Sequence, residues 1–408
     1  MHTLRILIAT QYFWPESFRI NEIALALKNR GHEVEVVTGN PNYPEGRFFS
    51  GYSAWRTKKE NWNGIPIYRT PIFPRGKGSA IKLVLNYFSY IISGFLFWPL
   101  LLRAKKYDVI FVYGVSPIFQ AIPASFLGWL KSIPVMLWVQ DLWPQSAEAT
   151  GYVKSSFLLK ILEKFVRFTY AHIDFLLVQS EAFIEPVSKL APNIPITYYP
   201  NSVEKEFYSP EVVDAPYIQS LQSGFTVLFA GNIGTAQAME TIVAAAENLK
   251  IYTEIKIVIL GSGSKSDWVA QKISEKKLTN LYLEGRFPIE TMPVLMRQSS
   301  VLLVSLANQS IFELTVPNKI QAYLAVGKPI IACLNGEGAR LIHESGAGVV
   351  VGSEDSKGLA DAIIKLYEMP EFEREQMGAN GRLYFKQYFD EEALTTELIN
   401  HFEKLVLK

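Results

Sequence analysis

The hydrophobic positions of the chain alternate between short apolar runs and longer amphipathic stretches, and they do so in two separate blocks. The first block opens with the run LRILIAT and continues through EVEVVTG, whereas the second opens with FTVLFAG at residue 225. Helix-like stretches lie between the runs of each block. Short apolar strands that alternate with helices are typical of a parallel sheet covered on both faces. The pattern therefore predicts an α/β protein with two Rossmann-like domains.

A stretch without either periodicity separates the two blocks, and its prolines and glycine are typical of a linker. We therefore predict an N-terminal domain over 1–200, a linker over 201–224 and a C-terminal domain over 225–388. The last segment, 389–408, is predicted to be a helix that packs back toward the N-terminal domain. Open α/β sheets bind ligands beyond the carboxyl ends of their strands. The two domains are therefore expected to face a cleft, with the acceptor on the N-terminal side and the donor on the C-terminal side.

One apolar segment, Leu83–Leu102, contains no charged residue and is flanked by basic residues on both sides. By length such a segment can span a bilayer. Its polar residues, including Asn86 and Ser89, and the strand-like run that follows at once weaken that interpretation. Three alternatives stay open: a spanning helix, a buried helix, and a helix at the membrane interface with aromatic and basic anchors, which we prefer.

Composition narrows the class of protein. The chain has 408 residues, of which 49% are hydrophobic and 19% charged, which fits two folded domains and excludes a disordered chain. A formal net charge of +1, without any nucleic-acid module, indicates no nucleic-acid partner. The single cysteine, Cys333, excludes an internal disulfide, and the chain opens on a strand pattern rather than on a secretory signal. These features predict a cytoplasmic location.

Two common phosphate-binding signatures are missing from the sequence. The loop after the first apolar run, TQYFWPESF, lacks the glycine triplet of the dinucleotide fingerprint, and no GxxxxGK[ST] motif occurs. A bound NAD and ATP hydrolysis are therefore disfavoured. The five histidines show no metal-ligand spacing, so no metal ion is expected.

A first candidate for phosphate binding is the turn after FTVLFAG, where Gly231, Asn232 and Gly234 precede a helix. Small residues let backbone N–H groups approach a phosphate, and the start of a helix favours negative charge. Taken alone this signal is weak, because glycine at a strand–helix turn is usually only turn chemistry.

A stronger candidate is the segment ELTVPNKIQAYLAVGKPIIA. It combines a loop carboxylate, Glu313, with Pro317 at the entry of a helix, a position that suits proline. Asn318 and Lys319 follow in the first turn, where a point charge can bind a diphosphate, and Gln321 is placed to reach a ribose. The alternative is that Glu313 and Lys319 are merely solvated.

Several motifs in this order resemble the glycosyltransferases of family 4, which have two Rossmann-like domains (GT-B). The motifs are GHEVEVVTGNPNYPEG, VQDLWPQSAEATG, FAGNIGTAQAMETIVAAA and VPNKIQAYLAVGKPIIA, and the resemblance covers nearly the whole chain. It is strongest to the subgroup that builds bacterial surface polysaccharides, including L-fucosamine and colanic acid transferases. The resemblance implies retaining transfer from a UDP-linked sugar, without a divalent metal or another cofactor.

The resemblance also implies roles for residues of the donor site. Glu313 matches the first acid of the family's E-x7-E motif, which contacts the donor sugar, and Gln321 stands where the second acid would hold the ribose. Glutamine can still hydrogen-bond a ribose diol, but it brings no charge. Lys319 is expected to bind the diphosphate and to assist its departure.

Two further loops depart from the family pattern or extend it. Arg286 and Phe287 belong to a loop that resembles the one whose backbone reads the uracil and whose side chains approach the phosphates. Asn232 and Gln237 occupy the region where the family often has an Arg…Lys pair. The loop backbone and Lys319 are expected to compensate for the missing charges.

The N-terminal block supplies the candidates for the acceptor side. Gln140 and Asp141 end the run VMLWVQ, where many relatives have a histidine at position 140 near the transferred sugar. Asp141 is expected to be catalytic because it follows a strand's carboxyl end. Glu16 and Arg19 lie in the first strand–helix loop and are expected to face the same cleft, with a structural cap of that helix as the alternative.

The resemblance thus implies transfer of an N-acetylated amino or deoxy sugar from a UDP-sugar to a polyprenyl-diphosphate-linked acceptor in O-antigen, capsule or exopolysaccharide biosynthesis. The enzyme is expected on the inner face of the cytoplasmic membrane, which it contacts through Leu83–Leu102. Two other interpretations stay open. A UDP-sugar epimerase can share the two-domain scaffold, and a non-catalytic protein can bind sugar nucleotides.

Overall fold

The chain folds into two compact units, Met1–Pro200 together with Glu392–Lys408, and Asn201–Glu391. The computed structural model describes residues 3–76, 80–149, 153, 155–208 and 213–407. Each unit is an α/β structure with its own sheet, which confirms the predicted fold class of two Rossmann-like domains.

The regular elements follow one another along the chain. The strands are β1 (Arg5–Ala9), β2 (Glu33–Gly39), β3 (Lys58–Trp62), β4 (Ile65–Thr70), β5 (Val109–Gly114), β6 (Val135–Val139), β7 (Phe175–Val178), β8 (Ile196–Tyr198), β9 (Phe225–Ala230), β10 (Ile255–Leu260), β11 (Leu281–Gly285), β12 (Val301–Ser305), β13 (Ile330–Cys333) and β14 (Gly348–Val351). The helices are α1 (Ile20–Asn29), α2 (Ala80–Leu101), α3 (Ala121–Lys131), α4 (Gln145–Ala149), α5 (Ser156–Ala171), α6 (Ile184–Leu190), α7 (Met239–Asn248), α8 (Ser266–Glu275), α9 (Met292–Gln298), α10 (Ser310–Leu314), α11 (Asn318–Val326), α12 (Glu337–Ser345), α13 (Ser356–Glu368), α14 (Glu371–Tyr388) and α15 (Glu391–Val406).

The sheet of the first unit has eight strands in the order β3-β4-β2-β1-β5-β6-β7-β8. Its neighbours are parallel except for the hairpin pair β3 and β4. Every residue of β5 and β6 is buried, because helices pack on the sheet and leave no polar face to solvent. Parallel strands end at one edge, so the loops after β1, β2, β5 and β6 lie side by side there.

The last helix, α15, completes the core of the first unit. Leu394, Leu398 and Phe402 join the apolar side chains of α1 and β1. The ring of Phe402 lies 5.4 Å from that of Phe111 on β5, and the Tyr199 hydroxyl donates to the carbonyl of Leu394 at 3.0 Å. The N-terminal core therefore depends on residues from the far end of the chain.

The sheet of the second unit has six strands in the order β11-β10-β9-β12-β13-β14, and all its neighbours are parallel. Apolar clusters form on both faces of this sheet. The segment 201–224, which the sequence presents as a linker, contributes Val203, Phe207 and Leu221 to one of these clusters. These apolar residues are too widely spaced to show a period, so only the fold reveals that the segment packs on the second unit.

The apolar segment Leu83–Leu102 forms most of α2, which connects β4 to β5 of the same sheet. The helix is long and apolar enough to cross a membrane by length and composition, and a third of its apolar window is buried. A spanning helix would separate β4 from β5, so in this fold α2 is a crossover helix that lies against its own unit. Asn86 and Tyr90 are fully buried.

The opposite face of α2 is exposed, and we call it the apolar stripe of α2: Ile81, Val84, Leu85, Phe88, Ile92, Leu96 and Leu100. These residues recur at intervals of three and four, which places them on one side of a helix. Each of them is at least 45% exposed. The segment therefore has one face that packs on the protein and one that does not, which purely buried and purely spanning helices lack.

Candidate functional site

Three loops at the carboxyl edge of the second sheet are packed directly on one another. The amide of Gly231 after β9 donates to the carbonyl of Leu260 at 2.8 Å, and the amide of Gly261 donates to that of Gly285 at 2.6 Å. A Cβ atom at Gly261 would lie 1.8 Å from the carbonyl oxygen of Gly231. Glycine is therefore required here by close approach of two backbones, in addition to any ligand.

In the turn after β9, which the sequence predicts to bind phosphate, the side chains hydrogen-bond within the turn itself. The Gln237 amide oxygen accepts hydrogen bonds from the Gly234 amide at 3.2 Å and from the Asn232 side chain at 3.1 Å. Gln237 thus caps the short helical turn that precedes α7. The two residues that stand in place of the Arg…Lys pair bind each other, and neither brings a charge to the edge.

The positive charge at this edge comes from α11 instead. Lys319 lies in the first turn of α11, and its Nζ atom is 3.8 Å from the centre of the Phe229 ring on β9. A Cβ atom at Gly231 would lie 2.6 Å from the Lys319 Cε atom, so the side chain reaches the turn after β9. The Nζ atom is buried and has no hydrogen-bond partner among the described residues. Burial lowers the pKa of Lys319 to about 7.

An ammonium group in this position fits an anionic ligand. Its contact with an aromatic face replaces only part of the electrostatic stabilisation that hydration would give the cation. The start of α11 adds the partial positive charge of a helix N-terminus, with Pro317 at the cap and Asn318 exposed beside it. Lys319, the cap and the turn at Gly231 therefore form one anion-ready edge.

Gln321 is fully buried two residues further along α11, and neither its amide nitrogen nor its amide oxygen has a partner in the described part of the chain. An unmade hydrogen bond of a buried amide costs about 1–3 kcal/mol. A ligand hydroxyl or solvent would relieve that cost. The position is compatible with the ribose contact expected from the sequence. The Gln321 side chain is, however, fully buried on a helix and not exposed on a loop.

Glu313 occupies the last turn of the short helix α10 and is exposed. Its backbone lies close against Gly336, because a Cβ atom at Gly336 would lie 1.9 Å from the carbonyl oxygen of Glu313. The carboxylate thus projects from a fixed backbone and stays available to a ligand. Gly336, with a φ of +69°, was not singled out in the sequence; its position after the run PIIACL was the only signal.

Arg286 and Phe287 follow β11 at the same edge of the sheet. The Arg286 side chain is exposed, whereas Phe287 packs against an apolar cluster of the second unit. Phe287 therefore holds the loop in place, and Arg286 is the one of the pair that can meet a phosphate.

In the first unit, Asp141 follows β6 and lies beside the loop after β5. The Ser116 hydroxyl donates to its carboxylate at 2.8 Å, and the Trp143 indole donates to the Ser116 oxygen at 3.0 Å. Burial raises the pKa of Asp141 despite the hydrogen bond from Ser116. Ser116 was missed in the sequence, although it also follows a buried strand. Gln140 is half-buried directly before Asp141.

Glu16 has a structural role in the loop after β1. Its carboxylate accepts backbone hydrogen bonds from Phe13 at 3.2 Å, and from Asn42 and Tyr43 at 2.7 Å each. Burial raises the pKa of Glu16 to about 7 in spite of these donors. The side chain therefore ties the loop after β1 to the loop after β2. Arg19, half-buried, is the N-cap residue of α1 and does not cap it with its side chain.

Two family models match consecutive parts of the chain. Residues 17–202 match the family described as glycosyl transferase 4-like domain, and residues 224–369 match the family described as glycosyl transferases group 1. The chain is 25% identical over 313 residues to WcaI of Escherichia coli (strain K12), a protein named for a glycosyl transferase of colanic acid biosynthesis. That alignment covers 74% of this chain and 75% of the relative.

Solved structures share the fold over nearly the full length. Sucrose-phosphate synthase from Thermosynechococcus elongatus aligns with a TM-score of 0.72 at 15% identity and covers 99% of both chains. HepE from Anabaena, solved in complex with UDP, aligns with a TM-score of 0.65 at 12% identity over 98% of this chain and 100% of its own. A trehalose-6-phosphate protein from E. coli, bound with UDP-2-fluoro glucose, aligns with a TM-score of 0.72 at 14% identity over 98% of both chains.

Proposed function

The chain belongs to the family 4 glycosyltransferases of the GT-B fold, and from this premise we propose that it transfers a sugar from a UDP-sugar to a lipid-linked glycan acceptor. Similar structures that hold UDP or a UDP-sugar analogue support the nucleotide part of the donor. The relative named for colanic acid biosynthesis supports a bacterial surface polysaccharide as the product. The proposed sugar is an N-acetylated amino or deoxy sugar, transferred with retention of its anomeric configuration.

The observation that carries the donor assignment is the buried, unpartnered Nζ atom of Lys319 beside the turn at Gly231. A diphosphate supplies the charge that this ammonium lacks, and the start of α11 adds its own attraction. Glu313 is exposed nearby in sequence and is proposed to contact the donor sugar. Gln321 is proposed to accept and donate hydrogen bonds at the ribose. No divalent metal is proposed to take part.

We propose a direct transfer step. The bond between the anomeric carbon and the diphosphate oxygen breaks as the acceptor hydroxyl oxygen bonds to that carbon. The hydroxyl proton passes to the departing diphosphate oxygen. Negative charge grows on the leaving group, so Lys319, Arg286 and backbone donors stabilise the transition state. Asp141, held by Ser116, is proposed to orient the acceptor hydroxyl through a hydrogen bond.

The proposed location is the cytoplasmic face of the inner membrane, with the first unit in contact with lipid. The apolar stripe of α2 supports this, because contiguous exposed apolar surface is costly in water. Helix α5 adds Phe157, Phe165 and Phe168, all more than half exposed, beside the exposed Lys160 and Lys164. Apolar residues with basic neighbours are typical of helices that lie in an anionic membrane surface.

The proposal is tested by a donor screen followed by a transfer assay. Thermal shifts with a panel of UDP-sugars identify the donor, and mass analysis then follows a lipid-diphosphate-linked GlcNAc acceptor. We expect the acceptor to gain the mass of one sugar while UDP is released, and nuclear magnetic resonance of the product to show retention. Conversion of a UDP-sugar to its isomer without any acceptor would instead identify an epimerase and refute the proposed function.

A further inference from the structure

The segment between β4 and α2 carries an arginine whose charge the first unit leaves uncompensated. The Arg75 side chain is half-buried, and its Nη1 donates to the Tyr12 hydroxyl at 3.0 Å. Its guanidinium carbon lies 5.3 Å from the centre of the Tyr43 ring. In the described part of the chain, no carboxylate forms an ion pair with Arg75. Burial lowers the pKa of Arg75, but the neighbouring phenols of Tyr12, Tyr87 and Tyr43 raise it overall. Taking a cation out of water without a counter-charge is costly.

Arg69, six residues earlier, is a structural arginine of the same unit and provides a comparison for Arg75. Its side chain is fully buried and forms an ion pair with Glu60. Its remaining nitrogens donate to the backbone carbonyls of Gly39 and Trp14. A structural arginine in this unit therefore has a carboxylate and carbonyl partners. Among the described residues Arg75 has neither kind of partner, so its remaining donors are available to an anion from a ligand.

The position of Arg75 is fixed by the loops at the carboxyl edge of the sheet. Its backbone amide donates to the Asn42 side-chain oxygen at 2.8 Å, and Gly76 donates to the carbonyl of Gly46 at 2.9 Å. Asn42 is itself held by the carboxylate of Glu16. The guanidinium is thus preorganised next to the loops after β1 and β2, where an acceptor is expected to bind.

The same segment is bound to the helix that carries the apolar stripe of α2. The Asn86 amide donates to the carbonyl of Phe73, and the Phe73 amide donates to the Ser89 hydroxyl at 2.9 Å. Asn86 and Ser89, two polar residues of the otherwise apolar helix, therefore fix the position of Phe73, two residues before Arg75. The segment that carries Arg75 is therefore hydrogen-bonded to the helix whose other face is the apolar stripe of α2.

Aromatic rings complete the surroundings of Arg75. Tyr12 and Phe18 are stacked with their centres 5.0 Å apart, and Tyr43 lies 5.6 Å from Tyr12 and 5.2 Å from Phe18. Phe18 and Tyr43 are half-buried and present part of their faces to solvent. Aromatic faces suit the apolar face of a sugar ring, and the phenol groups can hydrogen-bond its hydroxyls.

We infer that Arg75 binds the diphosphate of the lipid-linked acceptor. The apolar stripe of α2 receives the lipid chain next to it, and Tyr12, Phe18 and Tyr43 contact the sugar that the diphosphate carries. The inference rests on the proposed function for the class of acceptor. The segment of Arg75 is bonded to α2 on one side, and Arg75 contacts Tyr12 and Tyr43 on the other, as the diphosphate of such a molecule joins its lipid to its sugar. A phospholipid headgroup offers the same phosphate chemistry, and the test separates the two sources.

The first test measures steady-state kinetics with a UDP-sugar donor and farnesyl-diphosphate-linked GlcNAc as the acceptor. We expect Arg75→Gln to raise the acceptor KM about tenfold or more, since the variant loses hydrogen bonds from a charged group to the diphosphate. The donor KM and the thermal unfolding midpoint stay unchanged. Arg75→Lys, which keeps the charge, recovers part of the loss. The control is Arg56→Gln, which removes an exposed arginine of the same unit.

An unchanged acceptor KM in Arg75→Gln, or an equal rise in Arg56→Gln, refutes the inference. If Arg75→Gln unfolds early, Tyr12→Phe provides the second variant, because it releases the guanidinium from its phenol and should alter acceptor KM but not donor KM. If the wild type transfers sugar to no diphosphate-linked acceptor, the proposed function fails. Binding of farnesyl diphosphate alone by calorimetry then still tests Arg75, with loss of binding expected in Arg75→Gln.

The second test identifies the source of the phosphate. Wild type and Arg75→Gln are titrated with farnesyl diphosphate in neutral detergent, and separately sedimented with vesicles of phosphatidylcholine and phosphatidylglycerol. We expect the variant to lose affinity for farnesyl diphosphate while its vesicle binding stays within about twofold of wild type. An equal loss in both assays would assign Arg75 to a phospholipid headgroup and would overturn the acceptor site.

Discussion

The ammonium group of Lys319 lies over an aromatic face and has no hydrogen-bond acceptor among the residues that the structure describes. We expect Lys319→Ala to reduce kcat about 100-fold, because removal of one preorganised charge stabiliser from a transition state costs on that order. Turnover of the UDP-sugar with its acceptor measures the effect. The folded state should be retained, since a buried cation without a partner contributes little to stability.

The matched control for this variant is Lys357→Ala, which removes an exposed lysine near the start of α13 in the same unit. Its kcat and donor KM should equal those of the wild type. Wild-type turnover in Lys319→Ala would show that another group neutralises the leaving diphosphate. Arg286 would then be the first alternative, because it is exposed at the same edge of the sheet.

The titration of Lys319 has opposite consequences for donor affinity and for stability. Burial lowers its pKa in the folded protein to about 7, whereas the ordinary pKa of a solvated lysine is 10.5. A diphosphate binds the protonated form, so donor KM should rise with pH above about 7, by up to about tenfold per unit. The unfolded chain binds more protons between about pH 7 and 10.5, so the free energy of unfolding should increase with pH in that window.

The difference between wild type and Lys319→Met isolates this group from other titrations. Donor KM of the variant should be high and flat across the window, and the pH-dependent gain in unfolding free energy should be smaller than in the wild type. Urea unfolding at several pH values and donor titration by calorimetry supply the two measurements. A parallel pH profile in both proteins would mean that Lys319 keeps its proton throughout.

At the scale of elements, α2 shows how one helix can satisfy a fold and still expose an apolar surface. We expect the double substitution of Phe88 and Ile92 by serine to weaken sedimentation with anionic vesicles about tenfold or more, because each side chain contributes about 1.5–3 kcal/mol when it enters an apolar phase. The thermal unfolding midpoint should not fall, since both side chains are more than half exposed.

Ile251→Ser is the control for this prediction. Ile251 is 82% exposed, but it lies in the second unit after α7. The substitution removes a comparable exposed apolar side chain and should leave vesicle binding unchanged. If the α2 variant sediments with vesicles as well as the wild type does, the stripe is not the membrane contact, and the exposed phenylalanines of α5 become the next surface to change.

The buried side of α2 shows where the sequence pattern was informative and where it was not. Asn86 and Ser89 interrupt the apolar run, and together with the strand-like run that follows they argue against a spanning helix. Their hydrogen bonds to Phe73, which explain why they are polar, join residues 13 and 16 positions apart in the chain. A pattern of single residues along a helix records that a side chain is polar, but it does not record its partner.

At the scale of the whole molecule, the first unit is completed by residues that follow the second unit in the chain. Phe402 of α15 is fully buried against Phe111. We expect Phe402→Ala to lower the free energy of unfolding of the first unit by about 3–5 kcal/mol, as for a phenylalanine removed from a packed core. Denaturant unfolding measures this loss, with tryptophan fluorescence as the signal of unfolding. Retained UDP binding then reports that the second unit is still folded.

Leu407→Ala provides the comparison, since Leu407 follows α15 and is 87% exposed. It should leave the unfolding curve unchanged. An equally small effect of Phe402→Ala would show that the first unit folds without α15. Because the chain passes through the second unit before it reaches α15, the full loss would also mean that the first core cannot be completed until residue 402 has been made.

The fold class followed from the sequence because strands buried on both faces require continuous apolar runs, and these runs are local. The same holds for the entry of α11, where Pro317 and Lys319 are neighbours in the chain. Tertiary structure alone decided that Gln237 and Asn232 bind each other, and that Glu16 joins two loops. It also decided that Arg75 forms no ion pair with a carboxylate in the part of the chain that the structure describes. Local patterns determine which element forms, whereas the partner of a polar side chain depends on residues that only folding brings close.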